Sequence, residues 1–256
     1  MTTRLTTKIG SVDGDDIFVR GHNLLDVLDR YDFTEILYLV LVGGLPDKNA
    51  KRMMNILLVS AVDHGMTPGA VAARLTLLGA PEGLQAALGA GLLGAGSRYV
   101  GAIELAATLL CKTIAERSDW APDRFEEAAK RIVTDHRARK KSIPGFGHPF
   151  HKSIDPRTAR MLDVARECGF FSKHCMLAMA LSAQASDVFG RPLPLNAQGA
   201  KAGIVLDMGL TPAFAKAVTL VGRCGGLLAH LLEEQEQPMS GAIWELIRKA
   251  SEPEKD

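Results

Sequence analysis

From Asn23 to the C-terminus the apolar residues of this chain recur with the 3.6-residue period of a helix, and no run of alternating β-branched residues competes. Local punctuation cuts that pattern into segments. Leu24, Leu25, Val27 and Leu28 form an apolar stripe behind an Asn23 cap. Asp32 and Glu35 stand at capping-box spacing, and Gly43 and Gly44 end the run from Ile36 to Val42. Asp155 places a capping acid before a first-turn Pro156, and Gly169 follows the last apolar residue of that segment. Thr211 and Pro212 open a helix that the pattern carries to about Glu236, and Ser240 is expected to cap a last one ending near Lys249. The convincing β-signal lies in residues 5–20, where Thr7, Lys8 and Ile9 and then Ile17, Phe18 and Val19 flank the turn dipeptide Asp13-Gly14. The fold class read from this is all-α with a small N-terminal β-hairpin.

Composition narrows the function classes. A chain of 256 residues is long enough for one large domain or two modest ones with a real core. Its net charge of +1 gives no overall footprint for nucleic-acid binding. Cys111, Cys168, Cys175 and Cys224 are scattered, with no CxxC and no zinc-type pairing with histidine, so no metal is expected. Reduced thiols in a cytoplasm are the simpler account. Met1 is followed by polar residues, not an apolar signal segment, and stretches such as Phe33 to Leu45 are too short or interrupted to span a bilayer. The expectation is a soluble cytoplasmic protein with no membrane partner.

Gly89, Gly91 and Gly94 match the GxGxxG spacing of dinucleotide folds. That motif needs a preceding strand to present pyrophosphate to a helix end, and here Gly83 to Leu88 read as helix. Small residues for close helix packing are the better reading.

The segment from Ile143 to Arg157 carries the most chemistry. Pro144, Gly145 and Gly147 make a tight turn that clears bulk from beside His148, so a ligand can approach the imidazole. Two readings of His148 stand: an acid–base or polarising group, or a loop histidine that caps a neighbouring helix.

This segment resembles the PGxGH…DPR signature of the citrate synthase superfamily, which includes the citryl-CoA lyase module of ATP-citrate lyases. The resemblance implies that His148 hydrogen-bonds the oxygen of the keto or hydroxy acid and that Arg157 binds a substrate carboxylate. It places Lys152, Gly145, Phe146, Gly147 and Asn196 at the coenzyme A. Other segments agree in order. The stretch from Ile17 through Arg20 and Gly21, then Phe33 to Val40, then Gly44 to Pro46, is similar to the family's RGxxI…FEEVAYLLLxGxLP opening. Ala61 to Gly65 looks like the lyase-type ADHG, whose histidine, here His64, binds a carboxylate. Gly94 to Glu104, with Arg98 and Tyr99, is similar to the lyase segment GDRFGGALD, which implies a substrate-binding Arg98. Gly222 to His230 resembles GRSMGFIGH, whose arginine, here Arg223, holds another carboxylate. A tricarboxylic thioester needs several such cations, and an arginine fork suits bidentate carboxylate binding. Each also has an ordinary structural reading: Arg223 as the partner of a core acid, His64 as a helix-end histidine.

Three departures from the family pattern matter. Citrate synthases carry a histidine that polarises the thioester carbonyl; Tyr99 stands there, and the lyase modules have phenylalanine, which favours the lyase branch. The family's catalytic aspartate lies in an NVDG-like segment, and here Asn196, Ala197, Gln198 and Gly199 put glutamine in its place. Glutamine has no titratable proton, although it can donate a hydrogen bond to an enolate oxygen. Gln237 precedes Pro238 where the family often has an arginine. The basic run Arg137, Arg139, Lys140 and Lys141 suits CoA phosphates or a solvated helix end.

The resemblance implies a two-domain helical fold, with residues 1–100 and 212–256 as the large domain and 101–211 as the small one. It implies a homodimer or larger homo-oligomer, no bound cofactor, and coenzyme A only as part of the substrate. The activity it implies is cleavage of a 3-hydroxyacyl-CoA of the citryl-CoA type into acetyl-CoA and a 2-oxo acid such as oxaloacetate. The alternatives are a catalytically silent relative that binds CoA esters or a partner subunit, and a citrate synthase-type acyltransferase.

Overall fold

Two positive-φ turns shape the N-terminal residues. Gly14 takes φ +60° and turns the chain between β1 (Gly10–Asp13) and β2 (Asp16–Val19), while Arg20 at φ +51° and Gly21 at φ +82° turn it again into β3 (His22–Asn23). The antiparallel order is β1-β2-β3, with Asp13 opposite Asp16 and Val19 opposite both Gly10 and His22. The expected hairpin is therefore a three-stranded ribbon that starts at Gly10, later than Thr7. Its first turn centres on Gly14 and Asp15, because Gly14 is the residue free to take positive φ. Arg20 is held in its unusual conformation by two hydrogen bonds from its guanidinium to the Val40 carbonyl, at 3.0 and 2.7 Å.

The computed structural model describes residues 6–97, 100–147 and 155–252. Beyond the ribbon, these residues form helices α1 (Leu24–Leu28), α2 (Phe33–Val42), α3 (Lys48–Val59), α4 (Pro68–Gly79), α5 (Leu84–Leu93), α6 (Ala102–Ala115), α7 (Pro122–Ala138), α8 (Pro156–Glu167), α9 (Lys173–Phe189), α10 (Ala197–Asp207), α11 (Pro212–Glu236) and α12 (Ser240–Ala250). The fold is all-α with one small sheet. By contact density the chain divides into two units, Met1–Ile56 and Leu57–Asp256.

Most helix ends follow the local chemistry. Asn23 caps α1, Asp32 and Glu35 form a reciprocal capping box on α2, and Gly43 closes α2 in the left-handed conformation. Asp155 caps α8 and Thr211 caps α11, each ahead of a first-turn proline. Two expectations are corrected. Leu25 and Leu28 stay exposed, so the α1 stripe buries mainly Val27. Ser240 is not a cap: the amides of Met239 and Ser240 both donate to Glu234 at the end of α11, at 3.0 and 2.8 Å.

In the second unit, α10 is the centre. Every residue from Gly199 to Leu206 is buried, and α6, α8, α9 and α11 pack around it. A helix enclosed on all sides normally carries only apolar side chains; α10 contains Lys201, 1% exposed. A second cluster joins Ala70, Ala73 and Leu77 of α4 to Ala87 of α5 and Leu227 and Leu231 of α11. Gly89 and Gly91 of the GxGxxG-like run lie in α5 and Gly94 follows it; a Cβ at Gly91 would press on Leu227 at 3.0 Å and the Gly69 carbonyl at 3.1 Å. Close helix packing accounts for Gly91, while a Cβ at Gly89 would meet open space.

The expectation that no apolar stretch is long enough to span a bilayer does not hold for α11, whose 25 residues suffice by length and composition. In the fold 39% of its apolar window is buried, and the same helix carries Arg223 and His230.

Candidate active site

Two sequence motifs meet through backbone contact. The glycine-rich turn before His148 lies against the segment ahead of α10: Asn196 N–H donates to the Gly145 carbonyl at 3.1 Å, and Gly147 N–H to the Pro194 carbonyl at 2.8 Å. Phe146 forms a bridge with Leu195, and the Asn196 side-chain amide donates to the Gly147 carbonyl at 2.9 Å. The approach is possible only because both sides lack side chains. A Cβ at Gly145 would sit 2.8 Å from the Gly199 Cα, and one at Gly199 would overlap the Gly145 carbonyl. Asn196 also caps α10 by accepting from the Gln198 and Gly199 amides. Gly145, Phe146, Gly147 and Asn196 thus build one loop platform beside Gln198. His148 and Lys152, like Arg98 and Tyr99, lie outside the described residues.

A second convergence gathers the cations. Arg157, the second residue of α8, grips Asp155 with Nε at 3.1 Å and Nη2 at 2.7 Å, and its Nη1 reaches His64 Nδ1 at 3.3 Å. Arg223 of α11 comes within 4.0 Å of Asp63. A Cβ at Gly222 would lie 2.6 Å from the Leu58 carbonyl, and one at Gly226 would overlap that of Val62, so α11 runs tight against the backbone that carries Asp63 and His64. The charges of Arg157 and Arg223 are felt by both His64 and Lys201, and that of Arg157 by Arg223. The guanidinium groups of Arg157 and Arg223 and the His64 imidazole therefore share one locality.

Hydrogen bonding settles the protonation there. Arginine only donates, so His64 Nδ1 must accept from Arg157 and its proton sits on Nε2. Partial burial, with Arg157 and Arg223 nearby, holds His64 below its ordinary value of 6.5. The expected cation is thus a neutral imidazole at neutral pH, a donor rather than a charge. Its folded pKa lies below the unfolded one, so near pH 6 the folded protein binds fewer protons. This part of the stability is present above about pH 6.5 and is lost as pH falls toward the folded value. An NMR titration is expected to place the His64 midpoint below 6.5, and to raise it when a dicarboxylate is added; a free-protein midpoint above 6.5 contradicts this account.

Arg223 has one long ion pair among the described residues, to Asp63, a carboxylate about half exposed rather than a core acid. Asp63 is already engaged by His230 Nε2 at 3.0 Å and the Gly65 amide at 2.8 Å. Burial opposes the charge on Asp63, yet these bonds and the His64 amide hold its pKa below the usual carboxylate value. Arg223 Nε is buried and finds no acceptor among the described residues. The Gln198 side-chain oxygen is likewise buried without a donor there. Buried polar atoms left this way normally mark a ligand or ordered solvent.

Behind Asp63 runs a support that sequence reading missed. His230 Nδ1 accepts from Arg74 Nη2 at 2.9 Å; Arg74, fully buried, pairs with Glu234 at 2.7 Å and with Glu233. Lys201 was also missed, although a lone lysine in the apolar run Ala197 to Leu206 was a visible anomaly. The basic run before the loop has ordinary partners in part: Arg137 caps the Val188 carbonyl of α9, and Arg139 pairs with Asp135 at 2.8 Å.

The family model for the citrate synthase C-terminal domain matches residues 46–249. The chain belongs to the citrate synthase family. Within that family it is similar to the citryl-CoA lyase of Hydrogenobacter thermophilus, with 35% identity, 91% of this chain and 88% of that one covered, and a TM-score of 0.81. It is also similar to an ATP citrate lyase of Methanothrix soehngenii solved with citrate and coenzyme A, with 25% identity over 92% of this chain and 39% of that one, and a TM-score of 0.75. A citrate synthase-like protein of Phoma sp. is 28% identical over 119 residues, 44% of this chain and 25% of that protein. The chain therefore spans well under half the length of these last two relatives.

Proposed function

We propose that this protein is a citryl-CoA lyase-type enzyme that breaks, or reversibly forms, a C–C bond in a 3-hydroxyacyl-CoA, yielding acetyl-CoA and a 2-oxo acid such as oxaloacetate. The observation that carries the reading is the 35% identity, over 91% of this chain, to a citryl-CoA lyase. The site's chemistry supports it. Arg157 and Arg223 offer charge-assisted bonds to carboxylates, His64 offers a neutral Nε2–H, and Arg157 stands in the first turn of α8, where the helix dipole favours anions. The platform of Gly145, Phe146, Gly147 and Asn196 suits the CoA thioester arm beside Gln198, whose amide can donate to the developing enolate oxygen. His148 would act on the substrate oxygen, with Lys152 at the CoA, and Arg98 and Tyr99 at the substrate's other side. Closure of a small domain (101–211) on a large one (1–100 and 212–256), and assembly into a homo-oligomer, belong to the same reading.

Purified protein incubated with (3S)-citryl-CoA is expected to release acetyl-CoA and oxaloacetate, followed by coupled absorbance and mass spectrometry. A second reading, a silent relative that only binds CoA esters, is favoured by Gln198. Calorimetric binding of the thioester without product would establish that second reading and remove the first.

A further inference from the structure

Lys201 is the feature that the family pattern and the lyase reading leave unused. It is 1% exposed, on a helix enclosed by four others, and no carboxylate pairs with it among the described residues. Burying a lysine without a partner is costly, and groups perturbed by such burial cluster at functional sites. Three residues after Gln198 on α10, it lies on the same helix face, so the two Cβ atoms are about 5–6 Å apart.

Its surroundings come from every side of α10. From α8 come Arg157 and Asp155, the latter already gripped by Arg157, and from α11 comes Arg223. Asp63 and His64 stand beyond these two arginines. From α9, the Cys175 thiol lies against Gly203, and His174 is held by Asp207 at 2.8 Å; from α6, Glu104 is held by Lys216 of α11 at 2.9 Å. Burial first, and then the two guanidinium groups, bring Lys201 down to about 7, with Asp155 opposing. An ammonium in that range moves between its two forms at neutral pH, as proton transfer requires and a fixed carboxylate anchor does not.

We propose that Lys201 carries the proton in this active site, the task for which Gln198, one turn earlier on the same helix, has no titratable group. The inference rests on the lyase reading. With His148 as a hydrogen-bond partner of that oxygen and not its base, the free amine takes the proton of the substrate's 3-hydroxyl as that carbon becomes a ketone and the C–C bond breaks. The bond's electron pair passes into the acetyl thioester as its enolate. The Lys201 ammonium then gives the same proton to the enolate carbon, which becomes the methyl of acetyl-CoA. The 2-oxo acid leaves, the amine is regenerated, and no co-reactant is consumed.

The test is the pH dependence of citryl-CoA cleavage in wild type, Lys201→Met, Lys201→Gln and Lys201→Arg, with thermal melting and CoA-ester calorimetry on each. Wild-type kcat/KM is expected to follow one ionisation near 7. Methionine or glutamine is expected to lower kcat by about 10²–10⁴-fold and erase that ionisation, while CoA-ester affinity and melting are kept. Arginine restores the charge but has no usable neutral form, and it is expected to rescue nothing. In Lys201→Ala, added primary amines are expected to restore turnover according to their basicity. An active Lys201→Arg, or a Lys201→Gln that keeps the ionisation, overturns the proposal while leaving the lyase reading intact. A wild type that releases no acetyl-CoA sinks both.

Discussion

Replacing Arg157 with methionine is expected to lower kcat/KM for a citryl thioester by about 30- to 4,000-fold, since truncating one partner of a charge pair buried with the substrate costs about 2–5 kcal/mol. Two contacts make the loss large. Arg157 is locked by the bidentate grip on Asp155, so its fork is oriented before substrate arrives. Its third nitrogen sets the His64 tautomer, so the variant also frees His64 to present either ring nitrogen. Arg157→Lys is expected to recover little, because an ammonium cannot reproduce the fork. Steady-state kinetics decide the matter: a variant with wild-type kcat/KM places the carboxylate elsewhere. Asp155, 2% exposed, loses its bidentate partner in the same variant, so a lower melting temperature is expected alongside.

The second large effect is on stability. Arg74→Met is expected to destabilise the protein by about 3–5 kcal/mol in urea unfolding, because it removes one partner from a buried ion pair. Glu234, 5% exposed, then keeps the Met239 and Ser240 amides that start α12 and the Ser240 side chain, but no cation among the described residues. His230 loses the donor on Nδ1, which loosens its hold on Asp63 and, through Asp63, the ground beneath Arg223. A loss under about 1 kcal/mol, the size of an exposed ion pair, would show that the cluster is solvated. The double variant Arg74→Met with Glu234→Gln is expected to recover part of the loss, since it removes the orphaned charge as well.

Much of the fold was legible because its signals are local. A capping box needs only Asp32 and Glu35 on one turn, and a helix start needs only Thr211 ahead of Pro212. Where a local rule failed, a distant group had intervened. Ser240 has the chemistry of a cap, but Glu234, reaching across the α11–α12 turn, took the amides instead. The turn platform was legible in part: glycines at 145 and 199 announce close approach, but only the fold shows that they approach each other.

The site divides the same way. Sequence alone determined which side chains are available: the arginines at 157 and 223, a histidine at 64, and a glutamine where a carboxylate was expected. It determined the helix starts as well, since caps and turns are short-range contacts. Tertiary structure decided what those groups are. It brought His64 to Arg157 across 93 residues and Arg74 to Glu234 across 160, made His64 a neutral donor, left Arg223 Nε without an acceptor among the described residues, and brought Lys201 down to about 7. Charge state depends on summed burial and on charges brought near by folding, and neither quantity exists until the helices have packed.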